Sequence, residues 1–466
     1  MAASTSGSDA DRWGGPGWHT PVPAAHPATA LLSARAVRER SHAVLDHVAA
    51  GRSTHWRWAP ERLADTVAAV VETTRAAYPD LRVPVHSRWR HFEAGGVDRW
   101  AALAGAGPHP SPPPLGEGAR PAFPASASGL LPPAGGGREG GLRSPLTLLG
   151  EAQRLERARV RIDLVIPSVL LDAGAGAAWH YDDVAHGQRL SRSEGLGVAS
   201  FDWFARGGWS ADPVAPLRTD AAALAAVTPD ALAAAFQVRA DNPLVGLDGR
   251  AALLRRLGEV MAATPAVFGA LARLGNLLDF LLKQAEGDRI DADVVLGTLL
   301  RALGPVWPGR LALEGVNLGD CWHHPATADG WMPFHKLTQW LTYSLLEPLA
   351  DAGLTVTGLD ALTGLPEYRN GGLLLDTGLL VPASGALPTA LRSVDDPAIV
   401  EWRAVTVAAL DLIADGVRAT LGLSAEAFPL ACVLEGGTWA TGRRLAAARR
   451  PGGAPPLNIA SDGTVF

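Results

Sequence analysis

Two cysteines and two lysines are all that a chain of 466 residues contains of either type, and each shortage closes off chemistry. Cys321 and Cys432 lie far apart, which rules out a disulfide framework and a four-cysteine zinc site and fits a reducing compartment. Lys283 and Lys336 are the only lysines, and neither follows a glycine, so no Walker-type phosphate loop exists. HExxH, CxxC and GxSxG are absent too, which removes the common zinc proteases, dithiol redox enzymes and serine-elbow hydrolases. Basic excess is missing as well: 41 Lys and Arg stand against 47 Asp and Glu, a net charge of −6. Neither a general nucleic-acid binder nor an electrostatic membrane binder fits that balance.

Long apolar runs are also lacking. The best candidate, VRIDLVIPSVLLDAGAGAAW, is interrupted by Asp163, Pro167 and Asp172. The opening MAASTSGSDADRWGGPG has neither the basic nor the apolar part of a secretory signal. The expectation is a soluble, cytoplasmic protein.

What is present is mostly helical pattern. Residues 1–28 read as a polar, Gly- and Pro-rich tail. LLSARAVRERSHAVLDHVAAG and APERLADTVAAVVETTRAAYP repeat apolar residues at helical spacing, and residues 29–103 are expected to pack on a main domain. Residues 104–145 are dominated by Pro, Gly and Ala and read as a linker or insertion. Their Gly135, Gly137 and Gly140 match a dinucleotide-loop pattern by chance, because no strand precedes and no helix follows closely. From 146 to 466 the segments 147–171, 247–263, 266–285, 292–303, 333–347 and 396–421 carry helical periodicity. Asp395 and Asp396 before Pro397 mark a helix start. EYRNGGLLLD and PLNIASDGTVF read as small β-hairpins on their Asn-Gly and Asp-Gly turns. With no βαβ alternation, the fold class is mainly α with minor hairpins.

Several clusters carry chemistry. On a helix expected to start at Pro333, Lys336, Gln339, Tyr343 and Glu347 share a face that can line a small-molecule pocket. The other reading is a solvated face. Asp320 ends the run LALEGVNLGD beside Trp322, as a desolvated base, a charge stabiliser or a turn cap. Cys321, His323, His324 and His335 fit no structural zinc spacing. In LEGGTWATGRR, Glu435 precedes Gly436 and Gly437, whose N–H groups with Arg443 form an anion-site candidate. HSRWRHFE gathers Arg88, Arg90, His91 and Glu93 for gripping an anion or for structural salt bridges; Glu367 and Arg369 pose the same choice. Asp163 and Asp172 interrupt a stretch apolar enough to be buried, and Trp179 offers a stacking surface.

Taken together, the strings PVHSRWRHFEAGG, RIDLVIPSVLLDAGAG, SEGLGVASFDWF, DNPLVGLDGR, PFHKLTQWLTYSL, LTGLPEYRNGGLLLD and LEGGTWATGR resemble the uracil catabolism protein 4 family, from about residue 30 to the terminus. That family is associated with a uracil-degrading route that also involves a GTP-cyclohydrolase-II-like protein and a ribosylurea-type intermediate. A remoter likeness is to queuosine-nucleotide salvage N-glycosylases, which have helical folds similar to DNA glycosylases. It aligns Asp172, Asp320 and the His335–Lys336 pair with the pattern, departing at the last, where an Ala-Asp-type pair is expected.

The resemblance implies an N-glycoside hydrolase that releases urea from ribosylurea or its 5′-phosphate, with no cofactor required. Asp320 is the expected charge-stabilising carboxylate, and Lys336, His335 or Glu435 the expected proton donor. Asp172, Trp179, Trp322, Gln339, Tyr343, Glu367, Arg369, Gly436, Gly437 and Arg443 are the expected substrate contacts. The alternatives are a metal-assisted ureido amidohydrolase, using His323 or His324 with Asp320, and a non-catalytic partner of the cyclohydrolase-like enzyme.

Overall fold

A computed structural model describes residues 25–104, 145–308, 310–387 and 390–460. The expected tail at 1–28 lies almost wholly outside this range, as do the linker and the last residues of the C-terminal hairpin.

Among the described residues, ten helices of ten or more residues dominate: α1 (Ala34–Ala49), α2 (Leu63–Ala77), α3 (Pro145–Leu170), α4 (Arg192–Ala205), α5 (Leu247–Ala263), α6 (Ala292–Leu303), α7 (Lys336–Asp351), α8 (Tyr368–Thr377), α9 (Pro397–Leu421) and α10 (Trp439–Arg449). Strands are two to four residues long and occur only in pairs, so the protein is mainly α with small β features.

Three helices form the centre, one of them α3, in which every residue from Arg161 to Leu170 is buried. Every residue of α7 from Lys336 to Leu345 is buried, and α9 is buried from Ala398 to Leu410. A helix enclosed on all sides must be covered by neighbours all round. α3 packs on α7, while α1 and α2 pack on α9. Each end has a chemical reason. Ser33 caps α1 by accepting the Ala36 N–H, and Asp396 caps α9 ahead of Pro397, as its sequence indicates. α9 stops at Gly422 in the left-handed conformation.

Three expectations need correction. EYRNGGLLLD is not a hairpin but helix α8, because Glu367 caps it by accepting the Arg369 and Asn370 N–H groups at 2.7 and 2.6 Å. Its Asn-Gly pair lies inside the first turns and packs against α9, where the Trp402 indole donates to the Gly371 carbonyl at 3.1 Å. The segment 266–285 is not one helix. Gly269 turns the chain at φ +71°, leaving short helices at Pro265–Phe268 and Leu277–Leu282. The 333 helix starts at Lys336, since residues Trp331–Pro333 pair as a strand with Cys321–His323.

α8 and α10 make the closest helix contact near the charged residues described below. A Cβ on Gly442 would stand 2.2 Å from the Arg369 carbonyl oxygen, so only glycine permits this approach. Gly442→Ala should therefore lower stability by about 1–3 kcal/mol in a denaturant titration. Gly297→Ala, in α6 where a Cβ meets nothing within 4 Å, should raise it by about 0.5–1 kcal/mol.

Candidate functional site

The start of α7 is fixed from below by one carboxylate. Both Asp320 oxygens receive Arg403 at 2.8 Å; the Trp322 indole donates to one at 2.8 Å and the Lys336 backbone N–H to the other at 3.1 Å. Burial pushes this carboxyl up, but the Arg403 charge and these donors outweigh burial and hold it well below the usual carboxylate range. The neighbouring His335 takes the left-handed conformation at φ +49°, which is costly for a residue with a Cβ. Its ring is tied to the Leu31 carbonyl at 2.9 Å, and its N–H points to the Asp320 carbonyl at 3.3 Å. Burial lowers its pKa. Asp320, Trp322 and His335 thus form a mount for α7.

The expected shared face of α7 divides into two stripes. Gln339 and Tyr343 face the 363 loop: Gln339 donates to the Thr363 hydroxyl at 2.6 Å and accepts its N–H at 2.8 Å, and Tyr343 donates to its carbonyl at 3.2 Å. Both are fully buried structural contacts, and burial pushes the Tyr343 phenol up. Trp340, Ser344 and Glu347 face the segment 86–93 instead, with Lys336 one turn before Trp340. There Ser344 accepts the Arg88 N–H at 2.9 Å, and Glu347 receives Arg90 at 2.9 Å.

Charged side chains from six parts of the chain come together beside this second stripe. Asp172 follows the end of α3, where the buried Arg250 guanidinium donates to the Ala173 and Gly174 carbonyls at 2.8 and 2.9 Å and to that of Leu171. Burial lowers Arg250 to about 10, leaving it charged at neutral pH. Arg88 is ion-paired to Asp172, and Ser193 donates to the other Asp172 oxygen at 3.1 Å. Lys336 lies within electrostatic reach of Glu367 and Asp172, which offset in part the lowering that burial imposes on its ammonium. Arg369 sits among Glu367, Arg192, Arg443 and Glu194; burial and the two like charges lower it. Arg443 pairs with Glu194 at 2.6 Å and lies over the half-buried Trp439 ring at 5.4 Å. Behind Trp340 and Trp439, His86 is hydrogen-bonded to Glu435 at 2.7 Å, with His91 against both indoles.

Three donors in this cluster have no acceptor among the described residues. Arg88 Nη2 and Trp340 Nε1 are buried, on residues 0% and 3% exposed, while the third, the Lys336 ammonium, belongs to a residue 7% exposed and is not itself fully buried. Buried donors rarely go unpaired, and unpaired ones call for an explanation at each position.

Of the residues singled out in the sequence, Arg88, Asp172, Lys336, Glu367, Arg369 and Arg443 share this cluster, and Glu435 and His91 stand behind it. Trp179 does not: its indole donates to the Phe236 carbonyl at 3.0 Å inside the core. The helix start expected at Gly436–Gly437 is not one, because the chain runs helically from Leu430 through a π turn at Leu434–Thr438 into α10. Both glycines pack closely on α2 and the segment after it, where a Cβ on Gly436 would meet Val83 and one on Gly437 would meet Val70. Asp163 is paired with Arg273 at 2.8 Å; burial raises it to about 7. The four metal-ligand candidates are spread apart: Cys321 is buried with Leu31 and Leu318, His323 packs on Trp331, His324 meets Glu401 at 3.2 Å, and His335 is held as above. Trp340, Ser193, Glu194 and Arg192 went unread. Trp340 was legible, one helical turn beyond Lys336.

Two cavities lie elsewhere. One, beneath Asp320 and His335, holds only about 20 Å³, room for one water. The other, a surface hollow of about 310 Å³, is walled by Arg38, His42, Asp360, Asp411 and Arg418. Its charges pair with one another, Arg38 with Asp411 at 2.9 Å and Arg418 with Asp360 at 2.9 Å.

With this geometry in place, sequence comparison is informative. The pattern of a family described as proteins of unknown function (DUF1688) matches residues 30–111 and 140–466. The chain belongs to that family. It is 32% identical to Uracil catabolism protein 4 of Lachancea kluyveri, over 95% of this chain and 99% of the relative. It is 35% identical to Protein urg3 of Schizosaccharomyces pombe, over 94% and 98%. The DUF1688 match spans every residue of the charged cluster.

The Asp320 mount can be tested directly. Arg403→Leu should cost about 3–5 kcal/mol in a denaturant titration, and Asp320→Leu in addition should recover most of it. Because the Asp320 pKa is depressed in the fold, its contribution is present above the unfolded value and lost only as pH falls. The stability gap between wild type and Asp320→Asn should therefore stay constant from neutral pH down to about 4 and shrink below it.

Proposed function

We propose that the protein acts in uracil catabolism by hydrolysing the ribosyl C–N bond of a ribosylurea, or of its 5′-phosphate, releasing urea. The place in uracil catabolism rests on the name of the Lachancea kluyveri relative, Uracil catabolism protein 4. The reaction rests on one observation: Asp172, paired with Arg88, stands in a cluster where two buried donors have no acceptor and the Lys336 ammonium makes no hydrogen bond among the described residues. Cleavage of this bond develops positive charge on the sugar and negative charge on the departing ureido group. A carboxylate suits the first, and Lys336, Trp340 and Arg88 suit the second by donating to the urea oxygen. Asp172 thus takes the part the sequence offered to Asp320, whose oxygens are already held by Arg403, Trp322 and Lys336 N–H.

The surroundings favour the phosphorylated substrate. Arg192, Arg369 and Arg443 lie beside Glu194 and Glu367 on the far side of Lys336, a net cationic group in an acidic protein. A sugar phosphate held there would leave its anomeric carbon facing Asp172 and Lys336.

Purified protein incubated with ribosylurea and with its 5′-phosphate should release urea and reducing sugar in equal amounts, faster from the phosphate. Asp172→Asn should lower the rate per folded molecule on the order of 10²-fold, and it should lower the melting temperature as well, because it leaves the buried Arg88 charge without its partner. Arg443→Ala should raise KM for the phosphate and leave the unphosphorylated substrate unaffected. Turnover of neither substrate contradicts the proposal, and ammonia without free urea points to amide hydrolysis.

A further inference from the structure

Lys336 combines features that an ordinary hydrogen-bond donor does not need. It is one of two lysines in an arginine-rich chain, it is 7% exposed, and its ammonium makes no hydrogen bond among the described residues. Any cation needed only for charge would be served by arginine, which keeps its proton and donates in a fixed fork. An amine differs in one respect: once deprotonated it is a nucleophile. Its backbone is also held more firmly than a donor on a flexible stem requires, by Asp320 below and by the left-handed His335 before it.

Resting on the ribosyl-cleavage reading, we infer that Lys336 is a nucleophile that forms a transient covalent imine with the ribosyl C1. In the first step the neutral Nζ attacks C1 and the C1–N bond to urea breaks. The bonding pair goes to the urea nitrogen, which takes up the proton that Nζ gives up, and free urea leaves. The ribosyl-lysine then opens: the C1–O4 bond breaks, O4 takes the second Nζ proton, and C1=Nζ remains. Water adds to that imine, the C1–Nζ bond breaks, and ribose or its 5-phosphate departs with the amine restored. Electrons and atoms balance with water as the only co-reactant. The charges of Asp172 and Glu367 lie within electrostatic reach of Lys336 and offset part of the burial that favours its neutral form. Burial, which lowers the lysine pKa, raises the neutral fraction that the first step needs.

The test exploits the scarcity of lysine. Full-length protein is incubated with ribosylurea 5′-phosphate and sodium cyanoborohydride, which reduces an imine to a stable amine, and the adduct is mapped by peptide mass spectrometry. The expected result is one sugar adduct on the peptide carrying Lys336, none on the Lys283 peptide, and activity lost in step with trapping. Lys336→Arg should abolish trapping and urea release while Lys283→Arg leaves both intact. Urea released without an adduct, or by Lys336→Arg at the wild-type rate, overturns the covalent step and leaves the hydrolysis reading standing. If no urea is released, that reading fails, and the same trapping with ribose 5-phosphate decides the inference alone. Selective reduction onto Lys336 supports an imine-forming lysine, and none overturns it.

Discussion

The buried pair between Asp320 and Arg403 is the constraint on which the rest of the arrangement depends. It joins the turn before α7 to the second turn of α9, two of the enclosed helices. A buried ion pair is weak evidence of net stabilisation, since both charges give up hydration. What it supplies is position. With Asp320 also accepting the Lys336 N–H, the first turn of α7 has a single direction, and the Lys336 and Trp340 side chains take theirs from it. The strained backbone of His335 persists because these contacts over-determine it.

On that mount, charge is distributed unevenly. Asp320 is surrounded by donors and fully occupied, whereas Asp172 shares its surroundings with donors that have capacity left. Both Asp172 oxygens are engaged as well, by Arg88 and Ser193, so the difference lies in the unused donors around it. Arg250 contributes at one remove by holding the carbonyls at the end of α3, so that the turn carrying Asp172 is fixed before any ligand arrives. Prearranged dipoles and charges of this kind act where charge develops in a reaction, at no cost of reorganisation.

The helical character and most helix positions were legible from the spacing of apolar residues, because these helices bury one face or all of them. Local turn signals were less reliable. Asn370-Gly371 resembles a hairpin turn, yet the Glu367 cap three residues earlier commits the segment to a helix. The site was partly legible. Lys336 stood out because lysine is so scarce, and Asp172 because it ends an apolar run. Asp320 read as reactive for the same reason that it is structural: a carboxylate among aromatics needs partners, and Arg403 lies 83 residues further along the chain. Gly436 and Gly437 mimicked an anion-binding helix start, whereas their need for glycine comes from close packing on Val83 and Val70. Long-range partners of this sort leave no local pattern.

The central claim is that the ligand sits in the Asp172–Lys336 cluster and not in the larger surface hollow beside Asp411. Calorimetric titration of ribose 5-phosphate into wild type, Arg443→Ala and Arg418→Ala decides between them most directly. The assignment predicts that Arg443→Ala weakens binding at least about tenfold, or about 1.4 kcal/mol, while Arg418→Ala leaves it unchanged. Weakening by Arg418→Ala alone, or no binding by the wild-type protein, would contradict it.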